Sequence, residues 1–174
     1  MIDLEAIKKA IADSVELATE IEVIYANQDA PRPKESYATV FVTPSSRLGF
    51  DRITYTNGAG AELDEAIDGH RLLMASISFF KENAFINAST FLTKLQSNSQ
   101  ITFFKNNGLG FVSTSEIRDL SEVDKNLWEE RAQLDLTFHA LSNFSEEVIA
   151  VQEANVEGVT ESGNNVNDVS INIK

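Results

Sequence analysis

From Ala132 to Phe144 the chain alternates almost without interruption. Ala132, Leu134, Leu136, Phe138, Ala140 and Phe144 fall on one side; Gln133, Asp135, Thr137, His139, Asn143 and Ser145 fall on the other. Only Ser142 breaks the apolar row and only Leu141 the polar one. A period of two over such a length predicts a long strand with one buried face and one wet or contacting face. The same period marks Arg71 to Phe80, with Leu73, Ala75, Ile77 and Phe79 on one face. Leu72, Met74 and Phe80 make its other face partly apolar, which predicts a central strand buried on both sides. Tyr37 to Thr43 reads as a strand stopped by Pro44, and Phe50 to Thr56 as a second one running into the turn Asn57-Gly58-Ala59-Gly60. Ile21, Val23 and Tyr25 begin a short strand, ended by the turn-rich Asn27 to Lys34 segment with Pro31 and Pro33.

Helical spacing appears twice. Asp3 is placed as an N-cap, followed by Leu4, Ile7, Ile11, Val15 and Ala18 at intervals of three and four, so residues 3 to 19 form an amphipathic helix. Asn83 is placed as the N-cap of a second helix reaching about Ser97, with Phe85, Ala88, Leu92 and Leu95 on its buried stripe. Ile101 to Lys105 is a short element stopped by Asn106-Asn107-Gly108. Phe111 to Ser113 is a brief strand, and Glu116 to Asn126 a polar connection. After Val151 the composition turns polar; Asn155 to Asp168 reads as a linker or tail, while Val169, Ile171 and Ile173 alternate with Ser170 and Asn172 as a terminal strand. The fold expected is α+β: a mixed or antiparallel β-sheet flanked by two to three helices, with a C-terminal extension. Residues 1–151 form the domain and 152–174 a polar arm.

Charge narrows the functions. The 174 residues carry a net charge of -13, which opposes nucleic-acid binding through a basic patch and adhesion to anionic membrane. The absence of cysteine excludes thiol catalysis, disulfides and cysteine-ligated zinc. The amino terminus has no basic stretch followed by an apolar run, so no secretory signal is expected, and no apolar block reaches the length of a membrane span. The two histidines, His70 and His139, are far apart in sequence and lack metal-ligand partners at helical spacing. Glu62, Asp64, Glu65 and Asp68 lack the spacing of a calcium loop and read as a solvated acidic loop. No nucleophile elbow or dinucleotide-binding glycine motif is present. Neither catalysis nor a cofactor or metal is expected on these grounds.

An ordered set of motifs is more specific. Ala26-Asn27-Gln28 with Pro31 and Pro33, then Tyr37-Ala38-Thr39-Val40, resembles the entry segment of the phage neck or tail terminator family. Ser76-Ile77-Ser78-Phe79-Phe80 before a helix resembles its central strand. Leu109-Gly110-Phe111, then Trp128-Glu129-Glu130-Arg131-Ala132 with Leu134-Asp135-Leu136, resembles its closing strand. The resemblance runs from about Ile21 to Val151. One departure is Phe80-Lys81, where relatives often carry Tyr-Gly.

The resemblance implies a virion structural protein of the tail or neck, assembled in the host cytoplasm. Such a protein forms a ring, typically a homohexamer, at the head-proximal end of a phage tail, stops tube polymerisation and joins the tail to the head connector. Its implied partners are further copies of itself, the tail tube protein, the head–tail connector or stopper protein, and the sheath. DNA passes through the lumen without specific binding, and no membrane is involved. Trp128, Glu130, Arg131, Asp135, Val169, Ile171 and Ile173 are the residues expected at interfaces. The alternatives are another ring component of the head–tail connector, or an acidic metal-binding or enzymatic domain. Two further expectations concern charge and the arm. The acidic balance, with the Glu62 to Asp68 segment and Asp135 as contributors, gives a ring a wall that does not grip phosphates. Residues 152–174 are ordered by contact, adding a strand to a neighbour.

Overall fold

A computed structural model of the chain describes residues 3–29, 31–57, 62–124, 127–149, 153–159 and 165–172. In chain order the elements are α1 (Leu4–Thr19), β1 (Glu22–Tyr25), β2 (Tyr37–Asn57), β3 (Glu62–Phe80), α2 (Ala84–Leu95) and α3 (Asn98–Asn106). There follow β4 (Leu109–Thr114), β5 (Arg118–Asp119), β6 (Glu122–Asp124), β7 (Leu127–Glu129), β8 (Arg131–Ile149), β9 (Glu153–Val159) and β10 (Asn165–Asn172). The main sheet has the order β1-β2-β3-β8-β4, with β5 also on β8; β6–β7 and β9–β10 are separate two-stranded ladders. β1 pairs with β2 in parallel and β4 with β8 antiparallel, so the sheet is mixed and the fold α+β.

The chain divides into two compact units. The first comprises Met1–Asp51 and Gly69–Asn143, the second Arg52–Asp68 and Phe144–Lys174. The first unit holds the three helices and their core. Ile7, Ile11, Val15 and Ala18 of α1 are buried as the spacing requires. Asp3 caps α1 by accepting from the amides of Glu5 and Ala6, and Glu20 closes it in the left-handed region. The buried stripe of α1 meets Ala38, Val40 and Val42 of β2, Leu73, Ala75, Ile77 and Phe79 of β3, and Ala132, Leu134, Leu136, Phe138 and Ala140 of β8. Each large side chain so enclosed contributes about 1.5–3 kcal/mol of apolar burial. Ser14 and Gln100 are a buried polar pair joining α1 to α3: the serine hydroxyl donates to Oε1 (2.8 Å) and the amide Nε2 donates back to the Ser14 carbonyl (3.0 Å). Gly108, at φ +69°, turns α3 into β4.

Several expectations are corrected. Pro44 does not stop a strand; β2 runs through it for 21 residues. The Ala26 amide donates to the Val40 carbonyl, so the backbone groups of Val40 point toward β1. Alternation points position 44 the same way, and β1 reaches only to the level of Val40. Pro44 therefore lacks a donor only where no described strand needs one. The acidic residues Glu62, Asp64, Glu65 and Asp68 lie on β3 rather than on a loop. Tyr55 donates to Glu65 Oε1 at 3.2 Å within the second unit, and that bond holds the phenol above its ordinary pKa. In α2 the buried stripe is Ala84, Ala88, Phe91 and Leu95, while Phe85 is exposed and Leu92 half-buried. The second face of β3 is half-open, with Met74 exposed, and Phe144 at the far end of β8 is exposed as well. The expected glycine turn after Asn57 falls on residues 58–61, outside the described ones, as does Ile173. Val169 and Ile171 lie on β10, which pairs antiparallel with β9; part of the stretch read as linker is therefore strand.

Candidate interaction surface

The turn from β3 into α2 and the entry to β8 meet in one corner of the first unit. Arg131 lies with its guanidinium carbon 5.0 Å from the Phe80 ring centroid. Phe80 stacks on Tyr37 at 4.8 Å, and the Lys81 ammonium stands 5.8 Å from the Tyr37 ring. Two cations thus sandwich two aromatic rings, an arrangement favoured by the negative ring faces. Tyr37 is buried there, and loss of water raises its phenol above the usual pKa. Lys81 has φ +68° and Asn83 φ +63°, both left-handed. The Lys81 side chain crosses to the carbonyls of Pro33 and Lys34, fastening the proline segment to the turn.

Asn83 occupies the N-cap position of α2 but its side chain makes no cap bond. Glu130 serves instead: Oε2 accepts from the Ala84 amide at 3.3 Å, placing a carboxylate at the positive end of the helix. The Glu130 carbonyl accepts from the Lys81 amide at 2.9 Å. The Arg131 amide donates to Ser121 Oγ at 3.1 Å. Ser121 also donates through its hydroxyl and amide to Asp119, which holds that carboxyl below its usual pKa.

Two open hollows flank Trp128. One, of about 310 Å³, is bounded by Phe85, Ile86, Trp128, Glu130 and Arg131 among others. The other, of about 450 Å³, includes Lys34, Lys81, Leu127, Trp128 and Glu129. Trp128 is 67% exposed and Leu127 74%, and Phe85 and Ile86 are exposed beside them. Val123 faces Trp128 across the β6–β7 ladder and is exposed too. The Arg131 Nε, which is buried, has no hydrogen-bond partner. A large aromatic beside an arginine and several aliphatic groups has the composition of binding hot spots. These groups suit docking.

Of the residues singled out from sequence, Trp128, Glu130 and Arg131 come together here. Asp135 lies elsewhere on β8, accepting from Ser76 Oγ at 2.5 Å and paired with Arg118. Its charge is therefore offset by a neighbour. Phe85 and Ile86 were not legible as surface residues, because helical spacing assigned Phe85 to the core.

A second grouping was invisible in sequence. His70 on β3 and His139 on β8 lie side by side, with Nδ1 and Nε2 2.7 Å apart. Close by, Asp51 binds Arg71 through both oxygens (2.7 and 3.0 Å) and Arg47 at 3.2 Å. The hydrogen bonds from Arg71, helped by both guanidinium charges, hold the Asp51 carboxyl below its ordinary pKa. Among the described residues there is no group of three or more histidine and acidic side chains fit to hold a metal, and no helix long and apolar enough to cross a membrane.

A family model described as phage neck terminator protein matches residues 5–164. No curated protein matches the chain.

Proposed function

Because the chain belongs to the phage neck terminator family, whose members are virion structural proteins of the tail and neck, we propose that it forms a closed ring, a homohexamer, that caps the head-proximal end of the tail. The ring stops tube polymerisation and joins the tube to the head–tail connector or stopper protein. One observation carries the ring reading. Among the described residues β2 has no outer neighbour beyond Val40, and β8 has none beyond Ala140 on the side where β4 pairs. Both strands continue for many residues, to Asn57 and Ile149. Two different open edges on one chain favour head-to-tail strand addition, and contacts of that kind give a ring where the rotation per subunit closes. Phe50, 95% exposed on β2, supports the same reading.

The Trp128 corner is the docking surface for the tube or stopper protein, with Glu130 and Arg131 fixing its geometry. The arm 152–174, with Val169, Ile171 and Ile173, adds a strand to a neighbouring subunit or partner. The net charge of -13 per chain keeps a DNA passage from gripping phosphates. No chemistry is required of any residue.

Native mass spectrometry and electron micrographs of the purified chain test the ring, and tube length in its presence tests capping. Rings with arrested tubes are expected. A monomer at high concentration that leaves tubes growing would sink the reading. In Trp128→Ala, rings should persist while docking weakens by about 30-fold or more, a hot-spot loss of about 2 kcal/mol.

A further inference from the structure

We propose that His70 and His139 form a two-nitrogen site for a late divalent transition metal, Cu²⁺ or Ni²⁺, that clamps β3 to β8. The facing atoms are Nδ1 of His70 and Nε2 of His139, 2.7 Å apart, on rings whose centroids are 4.8 Å apart and whose planes differ by 30°. Metal–imidazole bonds of about 2.0–2.1 Å put two nitrogens about 2.9 Å apart at a right angle and about 3.3 Å apart at the tetrahedral angle. The observed separation is nearer the first, so turning the two rings until both lone pairs converge on one ion suits a tetragonal ion better than tetrahedral zinc. Imidazole is a favoured ligand of copper and nickel, and copper heads the affinity order of the divalent series.

The protons balance without an added acid or base. Each neutral imidazole carries one N–H and one lone pair, and the short contact needs one N–H between the rings. Binding moves that proton to the far nitrogen of its own ring, Nε2 of His70 or Nδ1 of His139, and both facing lone pairs then bind the metal. Water completes the coordination.

The site has a fixed frame. The Arg71 guanidinium that binds Asp51 also donates to the His70 carbonyl at 3.1 Å, holding the β3 backbone there. His139 is held opposite Gly110 in the β4–β8 ladder. The nearby Arg47, Arg71 and Asp51 carry one surplus positive charge, so the nitrogens rather than the local field supply the affinity.

The experiment uses the tag-free full chain titrated with CuCl₂ or NiCl₂, read by calorimetry, thermal melting and electron paramagnetic resonance of the copper form. The chain has two histidines and no cysteine, so imidazole coordination can come only from this pair. One ion per chain, a higher melting temperature with metal and nitrogen hyperfine structure from two imidazoles are expected. His70→Ala and His139→Ala should each lower affinity by more than the roughly 10- to 100-fold that loss of an outer-sphere partner costs. Unchanged binding in either variant, or a copper spectrum with oxygen ligands alone, overturns the proposal. If a variant does not fold, the spectrum of the wild-type copper form decides by itself.

Discussion

Replacing Lys81 by glycine and by alanine separates two opposing contributions at the turn from β3 into α2. The residue has φ +68°, where a Cβ costs roughly 1–2 kcal/mol and glycine nothing comparable. Against that strain, its ammonium donates to the Pro33 and Lys34 carbonyls at 2.5 and 2.6 Å. Bonds from a charged donor contribute about 1.5–3 kcal/mol, toward the lower end where water reaches them. Both substitutions lose the ammonium, and only glycine relieves the backbone. Lys81→Gly should therefore be more stable than Lys81→Ala by about 1–2 kcal/mol, with alanine below the wild type and glycine close to it. Urea unfolding followed by circular dichroism, at one protein concentration so that assembly contributes equally, measures the difference. In melting temperature the gap is about 2–4 °C per kcal/mol for a chain of this size. If alanine proves as stable as glycine, the left-handed backbone stores no strain and the reasoning fails.

Ser14→Ala orphans the buried Oε1 of Gln100 and should cost about 1–3 kcal/mol. The double variant Ser14→Ala with Gln100→Leu makes both sites apolar, so it should be more stable than Ser14→Ala alone, and a urea double-mutant cycle showing additive losses would contradict this. Asp51 has its folded pKa below its ordinary 3.8, so its carboxylate adds stability above that value which is lost as the pH falls through the lower folded one. Asp51→Asn should thus be less stable than the wild type at neutral pH, with the gap narrowing below pH 3.8 in acid titrations of stability. A gap that stays constant into strong acid would exclude the link to Arg71.

Local periodicity carried much of the fold. The buried side of β8 from Ala132 to Ala140 and the stripe of α1 are set by alternation and by helical spacing, so they were readable without neighbours. What depended on partners was not. Whether Pro44 interrupts β2 depends on which strand lies beside it, and that strand is distant in sequence. Phe85 and Phe91 both lie within reach of the apolar stripe of α2, and only packing against Phe79 selects Phe91. The corner was half legible: the Trp128–Arg131 motif was visible, but its union with Phe85, Ile86 and the Lys81 turn was not. The histidine pair had no signal at all, because it exists only through the register of β3 on β8.

The missing amide at Pro44 has a consequence for how the outer edge of β2 can be used. A bare strand edge is a template that accepts almost any extended chain, including a misplaced copy of itself, and such edges seed aggregation. One blank in its row of donors makes the template selective. An incoming strand that needs a donor at the level of Pro44 loses that bond, while one whose acceptor row begins beyond it loses none. For any strand added at this edge Pro44 is therefore a register mark: pairings that need its donor are penalised and those that do not are left unpenalised.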